Sequence, residues 1–326
     1  MQSVVGEFLA EAEIELLIPK ELSGKRLDVA LATLCPDYSR ARLQQWIKAG
    51  EVTINREVVL QPRSPVVAGM IIALIPKDEV QGEWLPEPMD LDIYYEDEDL
   101  LVINKPVGLV VHPAAGHWQG TLLNGLLHHC PSLIHIPRAG IVHRLDKETS
   151  GLLMVAKRLS AHASLVDQLQ QRSVLREYQA VVHGALISGG VVDAPIGRHA
   201  VDRKKMAVIS GGREAVTHYR IEQRYAAFTQ LRVRLETGRT HQIRVHMAHI
   251  HHPLVGDPLY GGRQRYPPAS SAALLAALDH YSHQALHAGL LGIIHPQTGE
   301  SLSWRCDPPA DFQTLVAVLQ AEAAVA

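Results

Sequence analysis

The chain has 326 residues and a formal net charge of -3, from 31 Lys and Arg residues against 34 Asp and Glu residues. Hydrophobic residues make up 47% and charged residues 20% of the sequence, a globular composition that excludes a disordered or fibrous chain. The length suggests two domains, and the negative total argues against a protein that grips nucleic acid by bulk charge.

The charge is unevenly distributed along the chain. Residues 1–19 carry -4 and residues 77–100 carry -9, whereas residues 20–63 carry +3 and residues 101–326 carry +7. Two acidic segments therefore hide two basic regions in the net charge. The negative total does not exclude a polyanionic partner. We expect binding to such a partner to weaken as salt rises, because phosphate contacts release counterions.

The N-terminal part of the sequence predicts a small compact module between two acidic segments. Residues 1–15 form an acidic segment, residues 16–76 a compact module, and residues 77–89 an acidic linker with Pro86 and Pro88. The predicted elements of the module are a helix over 25–34, a helix over 40–49 with Ser39 as its N-cap and Gly50 as its stop, short strands at 52–55 and 57–60, and a closing strand at 70–75.

Residues 90–326 form a second, strand-rich domain. Its predicted strands cover 100–104, 109–112, 141–145, 152–157, 176–183, 214–224 and 231–236. Its predicted helices cover 160–172, 240–250 with Thr240 as the N-cap, and 311–324. Few helices beside many strands indicate an α+β fold with a mainly antiparallel mixed sheet.

Several common functions and locations are disfavoured. The three cysteines, Cys35, Cys130 and Cys306, lie far apart, so neither a disulfide framework nor a thiolate zinc site is indicated. The longest apolar runs fall short of the ~20 residues that span a bilayer, and the acidic N-terminus is unlike a signal peptide. We therefore expect a cytoplasmic protein without a membrane partner.

Motifs for nucleotide and metal chemistry are also absent. The sequence contains no GxxxxGK[ST], no GxGxxG after a strand, no HExxH and no GxSxG, which disfavours P-loop NTPases, dinucleotide enzymes, zincins and α/β-hydrolases. His246 and His249 are three residues apart on a predicted helix, but no acidic residue or cysteine within that helix completes a zinc site. We predict no metal and expect these histidines to face solvent or RNA.

Residues 143–151 carry the strongest chemical pattern. Arg144 and Asp146 lie on one face of an extended segment, and Leu145 points to the other. Asp146 either hydrogen-bonds its own turn, which the residues alone favour, or is a carboxylate nucleophile or base at the rim of a cleft.

Two further segments combine basic and aromatic residues. Tyr178 follows Arg176 in a strand pattern, where core packing is its favoured role. In the run from 237 to 246, Arg239 and Arg244 lie near a helix N-terminus, which makes a corner that suits an anion. A solvated basic helix is the equally open alternative. Residues 257–262 indicate a structured turn.

Together these segments resemble the RluA family of pseudouridine synthases over nearly the whole chain. The matching segments are 105–108 with His112, 143–151, 176–178, 237–247 and 252–262. Residues 20–76 resemble an S4 RNA-binding module, whose recognition helix opens with the sequence of residues 39–42. Several long motifs in the right order are more specific than any single one.

The resemblance implies an enzyme that cuts the N1–C1′ bond of a uridine, turns the base and rejoins it through C5, without a cofactor. Asp146 matches the essential carboxylate of the family, and Arg244 matches the arginine that pairs with it. Tyr178 matches the tyrosine that stacks on the base, and Arg144 the arginine that enters the RNA stack. Whether Asp146 attacks the sugar, adds to the base or abstracts a proton is left open.

The resemblance also implies the partner. We expect a monomer acting on large-subunit (23S) ribosomal RNA, at the helix 69 hairpin; a transfer RNA substrate and a binding protein for ribosome assembly are the alternatives. The implied RNA contacts come from the S4 module and from two residues of the catalytic domain: Arg40, Arg42, Lys48, Lys105 and Arg239.

Overall fold

The computed structural model describes residues 14–35, 38, 40–74, 84–113, 118–202, 204–262, 266–268 and 270–325. The chain divides into two compact units, residues 1–81 and 82–326. The predicted N-cap Ser39 lies outside the described residues, as do most of the acidic N-terminal segment and half of the predicted linker. No helix within the described ranges is long and apolar enough to cross a bilayer.

The first unit packs helices against a small antiparallel sheet of order β1-β4-β2-β3. Its elements are β1 (Ile14–Leu17), a 3-10 helix (Lys20–Leu22), α1 (Leu27–Leu34), α2 (Arg40–Ala49), β2 (Val52–Ile54), β3 (Glu57–Val58) and β4 (Ile71–Leu74). The predicted helices and strands of the module are present here. Gly50, at φ 82°, follows α2, as expected of a helix stop. Strand β1 begins at Ile14, so this unit extends into the segment predicted to precede it.

The second unit contains a large sheet with helices beside it. Its strands are β5 (Ile93–Glu96), β6 (Leu100–Lys105), β7 (Ser150–Ala156), β8 (Leu175–His183), β9 (Gly190–Asp193), β10 (Ile196–Arg198), β11 (Met206–Val208), β12 (Val216–Arg224), β13 (Phe228–Leu235), β14 (Leu286–Ile294) and β15 (Ser301–Arg305). Its helices are α3 (Leu122–His129), α4 (Leu159–Gln170), α5 (Gln242–His249), α6 (Ala272–His280) and α7 (Ala310–Val325), with 3-10 helices at Pro131–His135 and Pro137–Gly140.

The large sheet has the strand order β5-β6-β7-β14-β8-β13-β12-β9, with β15 beside β14. Only the β7–β14 pairing among these described strands is parallel. The prediction of an α+β fold with a mainly antiparallel mixed sheet is confirmed. Strand β6 is buried on both faces: Leu101 and Ile103 join one apolar cluster, while Leu100 and Val102 join another. This placement follows from the two-residue period of a strand.

The parallel contact between β7 and β14 depends on a glycine. Gly151 has φ 115°, and a Cβ atom there would lie 2.3 Å from the carbonyl oxygen of Ala288 in β14. Gly151 also pairs with Lys105 of β6, so its backbone is confined between two strands. The segment predicted to reverse the chain therefore starts a strand instead, and the turn lies at residues 147–148, before Thr149.

Residues 84–87, predicted to be linker, belong to the second unit. The side-chain amide of Asn124 in α3 donates to the backbone carbonyl oxygen of Leu85 (2.8 Å). The backbone carbonyl oxygen of Asn124 accepts from the amide of Glu87 (3.0 Å). The rings of Trp84 and His112 are in edge contact, with centroids 5.1 Å apart. Residues 84–87 therefore form an ordered segment packed against α3 and not a free linker.

The sequence predictions missed the central strand β14 and helices α3 and α6. Every residue of β14 but the last is buried, so apolar residues occupy both of its faces and its sequence lacks the alternation that identifies a strand. The strand predicted over 109–112 is absent from the structure, and the one over 141–145 is reduced to a bridge between Ile141 and Val155.

The half-buried Asp97 connects the ends of β5, β6 and β14. The carboxylate of Asp97 accepts from the Tyr95 hydroxyl (2.6 Å), the amides of Asp99 (2.8 Å) and Leu100 (2.7 Å), and the ring of His295 (2.8 Å). Burial alone would raise the pKa of Asp97, but these hydrogen bonds outweigh it and lower that pKa to about 2. Asp97 thus holds an ionised carboxylate at neutral pH.

Candidate active site

Asp146 lies at the end of an extended segment that runs beside β7. Leu145 is buried, Arg144 is exposed and the side chain of Asp146 is 16% exposed, as the alternation of an extended segment requires. The carboxylate accepts from Nη1 of Arg244 at 3.0 Å. Among the described hydrogen bonds, its oxygens take none from the following turn, so the interpretation of Asp146 as a turn-capping residue is wrong.

The carboxylate faces a cleft of about 780 Å³. The strand β8, the segment 141–146 and the loop 236–241 all contribute to its walls. Two acidic residues, Asp146 and Glu236, line the cleft. Six arginines line it as well: Arg138, Arg144, Arg172, Arg176, Arg239 and Arg244. A cleft with this excess of positive charge suits a polyanionic ligand.

Arg244 is fixed by a second carboxylate, that of Asp257. Its Nε and Nη2 donate to the two oxygens of Asp257 at 2.7 and 2.9 Å, which leaves Nη1 for Asp146. Burial opposes the charge of Arg244, but the hydrogen bonds and charge of Asp257, with those of Asp146, raise its pKa above the ordinary value. Burial likewise opposes the charge of Asp257, and Arg244 holds the pKa of that carboxyl below its usual range. The site therefore contains a fixed carboxylate–guanidinium–carboxylate array.

Aromatic and histidine side chains pack around this array. The guanidinium carbon of Arg244 lies 5.1 Å from the ring centre of Tyr260. The Tyr260 hydroxyl makes a 2.8 Å hydrogen bond with Nδ1 of His241. His241, at φ 57°, holds the N-cap position of α5, so the prediction of Thr240 as the cap is wrong. Burial lowers the pKa of His241, which keeps the ring neutral at pH 7.

Tyr178 lies between the apolar core and the cleft. It lies in β8 with only 6% exposure, packs in the same apolar cluster as Ala180 and Val182, and also lines the cleft. Burial raises the pKa of its hydroxyl; the charge of Arg176 opposes this shift and that of Asp146 adds to it. The phenol is thus protonated at neutral pH and lies within electrostatic range of Asp146.

Comparison with known proteins identifies the family of this chain. Residues 99–249 match the profile of the RNA pseudouridylate synthase family, and residues 25–72 match the S4 domain. The ribosomal large subunit pseudouridine synthase D of Pseudomonas aeruginosa is 56% identical over 93% of this chain and 94% of its own length. The chain belongs to the RNA pseudouridylate synthase family.

Other members of the family support this assignment. The ribosomal large subunit pseudouridine synthase D of Escherichia coli strain K12 is 50% identical over 92% of each chain. The solved structure of human RNA pseudouridylate synthase domain containing 4 covers 70% of this chain and 92% of its own, at 28% identity and a TM-score of 0.55. The pseudouridylate synthase profile includes Asp146, Tyr178 and Arg244 but ends before Asp257.

One predicted RNA contact of this pseudouridine synthase is wrong. Lys105 has 0% exposure, and its ammonium donates to the carbonyl oxygens of Pro106 (2.6 Å), Leu109 (3.0 Å) and Lys147 (3.0 Å). Burial lowers the pKa of Lys105 to about 8, while the charges of Glu148 and Asp146 oppose that shift. A lysine enclosed by three carbonyls cannot reach a phosphate; it supports the turn that follows Asp146.

The remaining predicted RNA contacts lie in different settings. Arg239 lines the cleft, and its Nε donates to the carbonyl oxygen of Glu214 (2.9 Å). In the S4 domain Lys48 is exposed, whereas Arg40 forms a salt bridge of 2.8 Å with the fully buried carboxylate of Asp28. The side chain of Arg42 lies outside the described residues.

Histidine 246 does not face solvent or RNA as expected. It has 0% exposure, and its ring nitrogens bond Oγ1 of Thr217 and the carbonyl oxygen of Ala194, both at 2.9 Å. Both nitrogens are therefore engaged within the protein. This histidine ties α5 to the sheet and fixes the helix that carries Arg244.

Sequence reasoning assigned no role to Asp257, Arg176 or His143, although all three lie in the recognised motifs. The ring of His143 accepts from the amide of Met154 (3.0 Å), which holds the Asp146 segment against β7. Burial, aided by the charge of Arg176, lowers the pKa of His143 to about 3, so the ring is neutral. The acidic residue of the 257–262 turn was the available signal for a partner to Arg244.

Proposed function

We propose that this pseudouridine synthase isomerises uridines in the RNA of the large ribosomal subunit, with Asp146 as its catalytic carboxylate. The observation that carries the proposal is the array in which Asp257 fixes Arg244 and Arg244 fixes Asp146 at the edge of a basic cleft. The names of relatives with 50–56% identity support the choice of ribosomal RNA.

The geometry explains how the carboxylate acts without a cofactor. The reaction only exchanges the C1′–N1 bond for a C1′–C5 bond, so no atoms or electrons are supplied from outside. Nη1 of Arg244 directs one oxygen of Asp146 and balances its charge when RNA covers the cleft. The second oxygen stays available for the sugar or the base, and positioning of this kind supplies much of the rate in such reactions.

The target uridine must leave its stack before it reaches Asp146. Flipping costs a few kcal/mol and costs least in hairpin loops, which favours a hairpin such as helix 69 as the target. Arg144, exposed at the rim of the cleft, would fill the space that the base leaves. Tyr178, which lines the cleft, would stack on the flipped base.

The S4 domain would position the RNA through its phosphates. Three contacts are predicted in this domain, at Arg40, Arg42 and Lys48, and Lys48 is exposed for such a contact. Arg40 has 49% exposure, but its charge is already balanced by Asp28, so we assign it a smaller share of the affinity. A cytoplasmic location and a monomeric state stay predictions.

The decisive experiment compares wild type with Asp146→Asn on unmodified large-subunit ribosomal RNA, using carbodiimide modification and primer extension to detect pseudouridine. We expect pseudouridine from the wild type and none from Asp146→Asn, while the exposed control Asp307→Asn stays fully active. Activity in Asp146→Asn would remove this residue from its role. Binding by the wild type without any pseudouridine would favour the assembly protein, and modification of transfer RNA alone would favour that substrate. Mapping pseudouridines in a deletion strain and its parent locates the target.

Arg244→Ala tests the pairing itself. We expect RNA affinity to fall modestly, because the guanidinium is already neutralised by two carboxylates, and turnover to fall severely, because Asp146 loses its partner. Normal turnover at saturating RNA with a large loss of affinity would contradict the pairing.

A further inference from the structure

Arg176 is a second buried arginine of the cleft, and it lacks the partners that Arg244 has. It lies in β8, two residues before Tyr178, and is 6% exposed. Its Nη2 donates to the carbonyl oxygen of Glu236 at 3.1 Å, and its Nε has no hydrogen-bond partner. Within the described chain, no carboxylate oxygen forms a salt bridge with its guanidinium.

This arrangement is energetically costly in the free enzyme. A buried cation without a counter-ion loses its hydration and gains little in return. Burial accordingly lowers the pKa of Arg176. Arg244, at a similar depth, shows the opposite arrangement because two carboxylates surround it. A cleft that retains one uncompensated cation is prepared for negative charge that arrives with the substrate.

Arg176 is a buried residue of the cleft wall. It is 6% exposed and lines the same cleft as Asp146 and Tyr178. Its charge and that of Asp146 both act on the hydroxyl of Tyr178. The loop above β8 confines it, because a Cβ atom on Gly238 would lie 2.8 Å from Nη1. The side chain therefore has little freedom to turn toward solvent.

We propose that Arg176 donates hydrogen bonds to a carbonyl oxygen of the flipped uracil and stabilises the negative charge that develops on the base. This assignment rests on the proposed function. When the C1′–N1 bond breaks, its electron pair stays with the uracil and spreads to O2 and O4. The pair of the new C1′–C5 bond then comes from the base, C5 loses its proton, and N1 gains one. If Asp146 instead adds to C6, an electron pair moves to O4, so Arg176 serves that route as well.

The depth of Arg176 favours the base over a phosphate. Arg144 is exposed, whereas Arg176 is 6% exposed. A flipped base enters a site more deeply than the RNA backbone that carries it, so the buried arginine suits the base. A fixed donor directed at developing charge in a site closed to water is an effective form of catalysis.

The test compares Arg176→Gln, Arg176→Lys and the exposed control Arg220→Gln. We measure the single-turnover rate at saturating ribosomal RNA, together with the dissociation constant at several salt concentrations. For Arg176→Gln we expect a rate about 10²–10³-fold lower. We expect a dissociation constant within about threefold of wild type and an unchanged salt slope. Arg176→Lys should recover part of the rate, and Arg220→Gln should match the wild type.

Two results would overturn the assignment. Weaker binding with a salt slope reduced by about one, and an unchanged rate at saturation, would make Arg176 a phosphate contact. A wild-type rate and affinity in Arg176→Gln would make it purely structural. If Arg176→Gln does not fold, as judged by circular dichroism, Arg176→Lys decides: a lowered rate with wild-type affinity is expected, and a wild-type rate would overturn the assignment of a guanidinium donor. A wild type that forms no pseudouridine refutes the proposed function itself, which is a distinct outcome.

Discussion

The role of Asp257 can be tested by a substitution that changes one atom. Its Oδ1 accepts from the amides of Leu259 (2.8 Å) and Tyr260 (3.0 Å) as well as from Nη2 of Arg244, and its Oδ2 accepts from Nε of Arg244. In Asp257→Asn, the amide oxygen can keep the two backbone bonds. The new amino group then faces Nε–H of Arg244, a donor against a donor. The loop is therefore retained, while Arg244 loses the hydrogen bond from Nε and the charge that fixed it.

The size of the effect follows from the burial of the pair. The Asp257 side chain is 0% exposed and that of Arg244 is 7% exposed. One charge-assisted hydrogen bond and the balance of one buried charge are lost, which we expect to lower the free energy of unfolding by about 2–4 kcal/mol. A displacement of the guanidinium by about 1 Å would lower turnover about 10²-fold.

Urea unfolding and single-turnover pseudouridine formation measure these two effects. The exposed Asp307→Asn serves as the control and should resemble the wild type in both. Wild-type turnover in a destabilised Asp257→Asn would refute the reasoning, because Arg244 would then be placed without its clamp. Wild-type stability with full activity would show that the Asp257–Arg244 pair neither stabilises the fold nor positions Arg244.

Three further predictions follow from the fold. Lys105→Met leaves three carbonyls without their donor, so we expect urea unfolding to show a free energy lower by about 1–3 kcal/mol. The single-turnover rate of pseudouridine formation should be about tenfold lower. An unchanged rate would mean that this lysine does not position the Asp146 turn. Gly151→Ala should lower the free energy of unfolding by at least about 2 kcal/mol, because the new Cβ would collide with Ala288. Gly299→Ala, where a Cβ meets open space, should lower it by about 1 kcal/mol. Equal losses in the two variants would contradict the close strand contact. Asp97, with a pKa of about 2 against 3.8, should contribute about 2 kcal/mol at pH 7, present above about pH 4 and lost as the pH falls toward 2. The stability gap between wild type and Asp97→Asn should therefore shrink between pH 7 and pH 3, and a constant gap would argue against an ionised carboxylate.

The charge distribution and the motifs alone determined much about this protein. A net charge of -3 hides basic regions over residues 20–63 and 101–326, and these correspond to the S4 domain and to the domain with the basic cleft. Alternation also placed Asp146 and Arg144 on one face, because side-chain direction in an extended segment depends only on sequence position.

Only the tertiary structure decided what holds Arg244 in place. The resemblance already paired Arg244 with Asp146, but Asp257 reaches Arg244 from 13 residues away, and no local pattern links the two. Lys105 and His246 look accessible in the sequence but are buried, since β6 is covered on both faces and α5 packs against the sheet. The contrast between a compensated Arg244 and an uncompensated Arg176 likewise arises from packing, because the cost of a buried charge depends on what surrounds it in space.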